Sequence, residues 1–208
     1  MTNNETKIYL ITPPKINEKI FYDSLEKIFN SKIVSCLQIR LKNEEDKKII
    51  SICNTIKPIC EKYNISLIIN DRLDLVRKCK ADGVHLGEED QPIKYARKIL
   101  GSNYIVGASC YNSKHLAILA AENGADYVAF GAFFESNTKV PKTNVDISII
   151  EDWNFISCVP CVAIGGITPT NCKKLVQAGV DHIAVIGSIW NSNKTPEEAI
   201  LEFKKILN

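Results

Sequence analysis

The stretch LIINDRLDLVRKCKADGVHLGEED, residues 67–90, carries acidic chemistry at the ends of two short apolar runs. Leu67, Ile68 and Ile69 stop at Asn70 and Asp71, while Val84, His85 and Leu86 lead through Gly87 into Glu88, Glu89 and Asp90. A short continuous apolar run between polar segments reads as a buried parallel strand. Carboxylates just past the carboxyl ends of two such strands can share one hard cation, and Mg2+ held this way commonly shares its coordination with substrate phosphates. Without a cation the two carboxylates repel and raise one another's pKa. Asp71 could instead cap a helix over 72–80, and Glu88 and Glu89 suit the acidic first turn of the next helix.

Three further groups suit anions. Gln38, Arg40 and Lys42 alternate in QIRLK, and strand residues two apart point the same way, so all three would project into one mouth. Arg offers a planar fork and Lys a point charge, a combination that suits a polyanion such as diphosphate. The other reading is a solvated strand end running into NEEDKK. In SNTK, Ser136 and Thr138 place hydroxyls on alternate positions before Lys139, which fits a phosphate loop and equally an ordinary polar loop. Gly165-Gly166 and Ile186-Gly187-Ser188 close the last two apolar runs. Glycine there either lets the backbone approach an anion or simply makes a turn. His85 sits in an apolar run as a core or supporting residue, whereas His115 and His182 read as helix-surface and strand-entry residues. No Ser-His-Asp or Cys-His arrangement stands out, so the chemistry expected is one without a strong general base.

These residues need a scaffold that brings strand ends together. ADGVHLG, ADYVAFG and VDHIAVIG resemble one another: each has an Asp, then an apolar strand ending at Gly. IYLIT, CLQIR, LIIN, IVGAS and CVAIGG are lesser copies of the run-to-turn pattern, giving eight strand candidates. Helical stretches lie between them at 43–63, 93–100, 113–123 and 169–177, with Ser113 and Thr168 as N-caps and Pro169 at the first helical position. Gly124 and Gly179 stand where helices should stop. Strands alternating with helices give a parallel sheet, and eight such units favour a closed (β/α)8 TIM barrel, read as one domain over 1–208. The site is expected at the carboxyl ends of the strands.

Bulk numbers narrow the classes. The 26 basic and 24 acidic residues leave a formal charge of +2, and no basic run forms a nucleic-acid stripe. The segment MTNNETKIYLITPP is too short in apolar residues for a signal peptide, and no run approaches a membrane span, so a cytoplasmic protein is expected. Among eight cysteines only Cys158 and Cys161 have CxxC spacing, and the eight are read mainly as small apolar side chains.

Together QIRLK, IINDR, ADGVHLGEED, GAS, ADYVAFGAFFESNTK, VAIGGIT and AVIGS resemble the thiamine phosphate synthase family in order and spacing, from 9 to 189. The resemblance implies an enzyme, a transferase joining a hydroxymethylpyrimidine diphosphate to a thiazole phosphate with release of diphosphate. It implies that Gln38, Ile39, Arg40, Leu41, Lys42 and Asn70 hold the pyrimidine diphosphate, and that Asp71 and Asp90 ligate Mg2+. Ser109 would contact the pyrimidine, Lys139 the diphosphate, and Ser136, Asn137 and Thr138 would lie on the thiazole-binding loop. Gly166, Ile186 and Gly187 would take the thiazole phosphate through the backbone. Arg40, Lys42, Lys139 and Ser109 would then carry catalysis by ionisation, in which diphosphate departs and the thiazole nitrogen captures a methylene cation. Ser136 stands where Thr is common and Gly187 where Ser is common. Two alternatives share the barrel: a thiazole tautomerase-like isomerase, and a non-catalytic phosphate-ligand binding protein. Tyr111, where the tautomerase carries a catalytic His, argues against the first. The expected partners are small molecules, and the sequence leaves homo-oligomerisation open.

Overall fold

A computed structural model describes residues 5–135 and 145–207. Eight parallel strands close into a barrel in chain order, β8 pairing back onto β1. They are β1 (Lys7–Ile11), β2 (Val34–Ile39), β3 (Ser66–Asn70), β4 (Gly83–Leu86), β5 (Ile105–Tyr111), β6 (Tyr127–Gly131), β7 (Cys161–Ile164) and β8 (His182–Val185). Around them run α1 (Glu18–Phe29), α2 (Asp46–Tyr63), α3 (Ile93–Leu100), α4 (Lys114–Glu122), α5 (Ser148–Ile156), α6 (Lys173–Gln177), α7 (Gly187–Trp190) and α8 (Pro196–Leu207). The protein is therefore the (β/α)8 barrel that its alternating runs imply.

Each strand divides its side chains between two cores, because successive residues face opposite sides. Ile8, Leu10, Leu37, Ile39, Leu67 and Ile69 pack outward against the helices. Tyr9, Ile11, Cys36, Ile68, Tyr127, Ala129, Val162 and Ala184 form a separate cluster inside the barrel. The helices answer the outer core with apolar residues at helical spacing, as in Ile49, Ile52, Cys53, Ile56 and Cys60 of α2. Seven of the eight cysteines are buried free thiols and only Cys158 is exposed, consistent with packing roles.

The repeated Asp before β4, β6 and β8 has a shared job. Asp82, Asp126 and Asp181 each accept a hydrogen bond from a backbone N–H at the start of the preceding strand: Leu67 at 2.7 Å, Val106 at 2.7 Å and Cys161 at 2.8 Å. A charged acceptor on an otherwise unpaired N–H stitches neighbouring units at the amino-terminal end of the barrel. The opposite end is left free for chemistry.

Several local expectations change. No α-helix forms over 72–80: only a 3-10 turn, Leu73–Leu75, links β3 to β4, and Asp71 does not cap it. Glu88 and Glu89 stay in an exposed turn, since α3 begins only after Pro92. After β7, helix α6 starts at Lys173, not at Pro169. Asn171 organises that turn instead, its Oδ1 accepting from Thr168 N–H at 2.9 Å and its Nδ2 donating to the Gly166 carbonyl at 3.0 Å. Ser113 does cap α4, accepting from Leu116 N–H at 3.1 Å. Gly124 and Gly179 end α4 and α6 with φ of 92° and 84°.

Candidate active site

Asp71 and Asp90 meet. Asp71 follows β3 directly with φ 63°, an uncommon left-handed conformation for a residue with a side chain. Its N–H donates to the His85 carbonyl of β4 at 2.9 Å, which fixes this turn against the neighbouring strand. Asp90 lies in the turn after β4, where its Oδ2 accepts from Gly87 N–H at 2.7 Å. The two carboxyl groups are hydrogen-bond neighbours, and Lys42 Nζ stands 3.4 Å from Asp71 Oδ2. Burial and the adjacent Asp71 push the Asp90 pKa up, against the pull of the Gly87 amide and Lys42.

That opposition tests the fit of a cation. Two acidic oxygens held together at a cost in ionisation are a donor set that a hard divalent ion relieves. Among the described residues no cluster of three or more His, Cys, Asp or Glu occurs, so phosphate oxygens and water would have to complete an octahedral shell.

Strand β2 ends at Ile39, so Arg40 and Lys42 lie beyond it, yet the alternation continues: Leu37, Ile39 and Leu41 all face the outer core. Leu41 turns into the outer core while Lys42 is exposed beside Asp71. Arg40 is half-buried, its N–H donating to Thr12 Oγ1 at 2.9 Å. Its guanidinium makes no ion pair among the described residues. Arg72, by contrast, is engaged by Asp46 at 2.8 Å and Asp74 at 2.7 Å, and so is not a free anion ligand. A cavity of about 170 Å³ beside this rim is lined by Leu41, Lys42, Asn70 and Asp71. It reaches the outer-core residues Ile39, Ile49 and Ile69, so it flanks the barrel mouth.

Inside the mouth a polar chain crosses the barrel. Gln38 Nε2 donates to Tyr9 Oη at 3.0 Å, and the Tyr9 and Tyr127 hydroxyl oxygens are 2.7 Å apart. His85 Nδ1 lies 2.9 Å from Tyr127 Oη, and its Nε2 lies 2.8 Å from Ser109 Oγ. The His85 and Tyr127 rings stack at 5.6 Å. Burial lowers the His85 pKa to about 4 despite the charge of Asp71, so the ring is neutral near pH 7. Sequence reasoning assigned His85 a supporting role and overlooked Tyr9 and Tyr127. The available signal was a tyrosine at an inward strand position, since a buried phenol needs a partner.

At the far side, Gly166 has φ 60°, and an added Cβ would lie 2.2 Å from the Glu135 carbonyl oxygen. Only glycine fits there. Ile186 precedes α7, whose first residue is Gly187, and Trp190 Nε1 pins this short helix to the Ile11 carbonyl at 2.7 Å. The adjacent Ser188 hydroxyl is buried with no hydrogen-bond partner among the described residues. Backbone amides at such a helix start suit a phosphate. Ser136, Asn137, Thr138 and Lys139 lie outside the described residues.

Comparison with known proteins gives a single direction. A family model described as thiamine monophosphate synthase matches residues 8–189. The thiamine-phosphate synthase of Rhodospirillum centenum is 43% identical over 203 residues, covering 98% of each chain. That of Pelagibacter ubique is 43% identical, covering 97% of each. A solved thiamine phosphate pyrophosphorylase from Pyrococcus furiosus superposes with TM-score 0.85 at 30% identity, covering 100% of this chain and 98% of that one. A 3-hexulose-6-phosphate synthase at TM-score 0.70 and 14% identity shares the fold alone. Among the described residues no helix is long and apolar enough to cross a membrane.

Proposed function

The chain belongs to the thiamine monophosphate synthase family, and from that premise we propose that it joins 4-amino-2-methyl-5-(diphosphooxymethyl)pyrimidine to a thiazole phosphate, releasing diphosphate. The observation that carries the reading is the meeting of Asp71, Asp90 and Lys42 at one rim. Asp71 and Asp90 hold Mg2+. When bound, Mg2+ screens the charge of the diphosphate and so favours its departure. Arg40 and Lys42 act from the same side as cations facing the leaving group, and Lys139, outside the described residues, adds a third positive charge on the family's pattern. Asn70 completes that pocket.

Gln38 and Ser109 hold the aminopyrimidine ring, and Ser136 and Thr138 contact the thiazole. Gly166, Ile186 and Gly187 take the thiazole phosphate through backbone amides. Diphosphate leaves with the bonding electron pair, the amino group stabilises the methylene cation, and the thiazole nitrogen supplies the new pair. No protein group has to abstract a proton. A neutral, enclosed His85 agrees with such chemistry, because it is a poor base at pH 7.

Purified protein supplied with both substrates and Mg2+ should release one diphosphate for each thiamine phosphate formed. Tight binding of both substrates with no release would reduce the site to a binding pocket. Isomerisation of the thiazole without any pyrimidine would make it a tautomerase.

A further inference from the structure

The five-residue chain Gln38–Tyr9–Tyr127–His85–Ser109 joins five strands, β2, β1, β6, β4 and β5. Its two ends are the residues assigned above to the pyrimidine ring. Its three inner members share a constraint. A phenol has one proton, and a neutral imidazole has one N–H and one acceptor nitrogen. Every proton then meets an oxygen or nitrogen only if each inner member donates to one neighbour and accepts from the other, the nearby Cys36 sulfur being a weak alternative acceptor for Tyr9.

The direction is consequently collective. In one order Gln38 donates to Tyr9, Tyr9 to Tyr127 and Tyr127 to His85 Nδ1. His85 Nε2–H then donates to Ser109 Oγ. This leaves the Gln38 carbonyl free to accept and the Ser109 hydroxyl free to donate. In the opposite order Ser109 donates to Nε2 and the sequence runs back to the Gln38 carbonyl, after rotation of its amide. The free groups at both ends then exchange character. A mixed order, such as Gln38 and Tyr127 both donating to Tyr9, leaves a buried O–H with no oxygen or nitrogen acceptor, and an unmet buried donor costs about 1–3 kcal/mol.

The barrel wall is shaped for this contact. An added Cβ at Gly107 of β5 would lie 2.0 Å from Tyr127 Cζ and 2.3 Å from its oxygen, so the phenol rests directly on glycine. Gln38, Tyr9 and Tyr127 are 3%, 4% and 8% exposed, which leaves little water to satisfy them separately.

We propose that Tyr9, Tyr127 and His85 are positioning residues that couple Gln38 to Ser109, presenting an acceptor at one end and a donor at the other as one unit. This deepens the function proposed above and rests on it. An aminopyrimidine brings an amino donor to Gln38 and a ring-nitrogen acceptor to Ser109. Its 4-oxo counterpart brings a carbonyl acceptor and a ring N–H, the reverse pattern. The coupled chain selects the amino ring because the structure already holds Gln38 Nε2 on Tyr9, the amino order, whereas the oxo ring requires that amide to rotate in a buried place and every inner bond to reverse.

The test is calorimetric binding of three probes in Mg2+: the aminopyrimidine diphosphate, its 4-oxo counterpart and inorganic diphosphate. Wild-type protein should prefer the amino ring by at least about tenfold, the kind of rejection a hydrogen-bonding site gives a mismatched ligand. In Tyr127→Phe that preference should fall below about threefold, while inorganic diphosphate binds within about twofold of wild type. Tyr9→Phe cuts the same chain one bond away, should behave alike, and serves if the first variant does not fold. An undiminished amino-over-oxo ratio in a folded variant, even with both affinities lowered, would make these residues packing only and overturn the coupling. Wild-type binding of the amino probe no tighter than inorganic diphosphate would remove the ring site itself, and both readings with it.

Discussion

Asp71→Asn is expected to slow diphosphate release by at least about a hundredfold, the scale for losing one preorganised electrostatic group. Asparagine keeps the shape of aspartate and tolerates the left-handed backbone that this position adopts at φ 63°. It removes only the charge. The ion pair lost with Lys42 is half-exposed, at 52% and 30% of the two side chains, and such pairs contribute about 0–1 kcal/mol. Melting temperature should therefore barely move while turnover collapses. Asp71→Ala should lose the same activity and, through its poorer fit to positive φ, slightly more stability. Turnover of Asp71→Asn within about threefold of wild type would remove this carboxylate from the mechanism.

A large structural effect is expected from Gly107→Ala. Its new methyl would sit 2.0 Å from Tyr127 Cζ, far inside van der Waals contact, on a strand that cannot retreat from its neighbours. Overpacking a filled core costs about 1–3 kcal/mol or more, and here the phenol must also leave its partners Tyr9 and His85. Urea titration should show that loss as a lower midpoint at unchanged slope. Equal stability of Gly107→Ala and wild type would mean that Tyr127 is not held where it is described.

Much of the barrel is legible in the residues themselves. Eight apolar runs become eight strands because a parallel strand covered on both faces has no reason to alternate polar and apolar residues. The triplicate Asp was visible as a repeat, yet its purpose was not. Its partners are amides some 15 to 20 residues earlier, which only the closed sheet brings near. In QIRLK the alternation runs past the last strand residue: Leu37, Ile39 and Leu41 face the outer core, and Lys42 comes beside Asp71. Thr168-Pro169 looked like a helix start because those residue types usually are. Asn171 wins there by bonding to both Thr168 and Gly166.

Asp71 and Asp90 could be paired from sequence, since both follow adjacent runs and chemistry gives two neighbouring acids an obvious use. The Tyr9–Tyr127 contact could not. It joins residues 118 positions apart and exists only when β1 and β6 face each other across a closed interior. Lys139 and its neighbours, the expected thiazole loop, lie outside the described residues, and their roles rest on family membership.

The most direct check on the two-carboxylate site is calorimetric titration of the aminopyrimidine diphosphate with Mg2+ and again with a chelator. Mg2+ should tighten wild-type binding by at least about fivefold, the low end for coupled ligands, and Asp90→Asn should erase most of that gap. Equal affinity of the wild-type protein with and without the ion would contradict the two-carboxylate site.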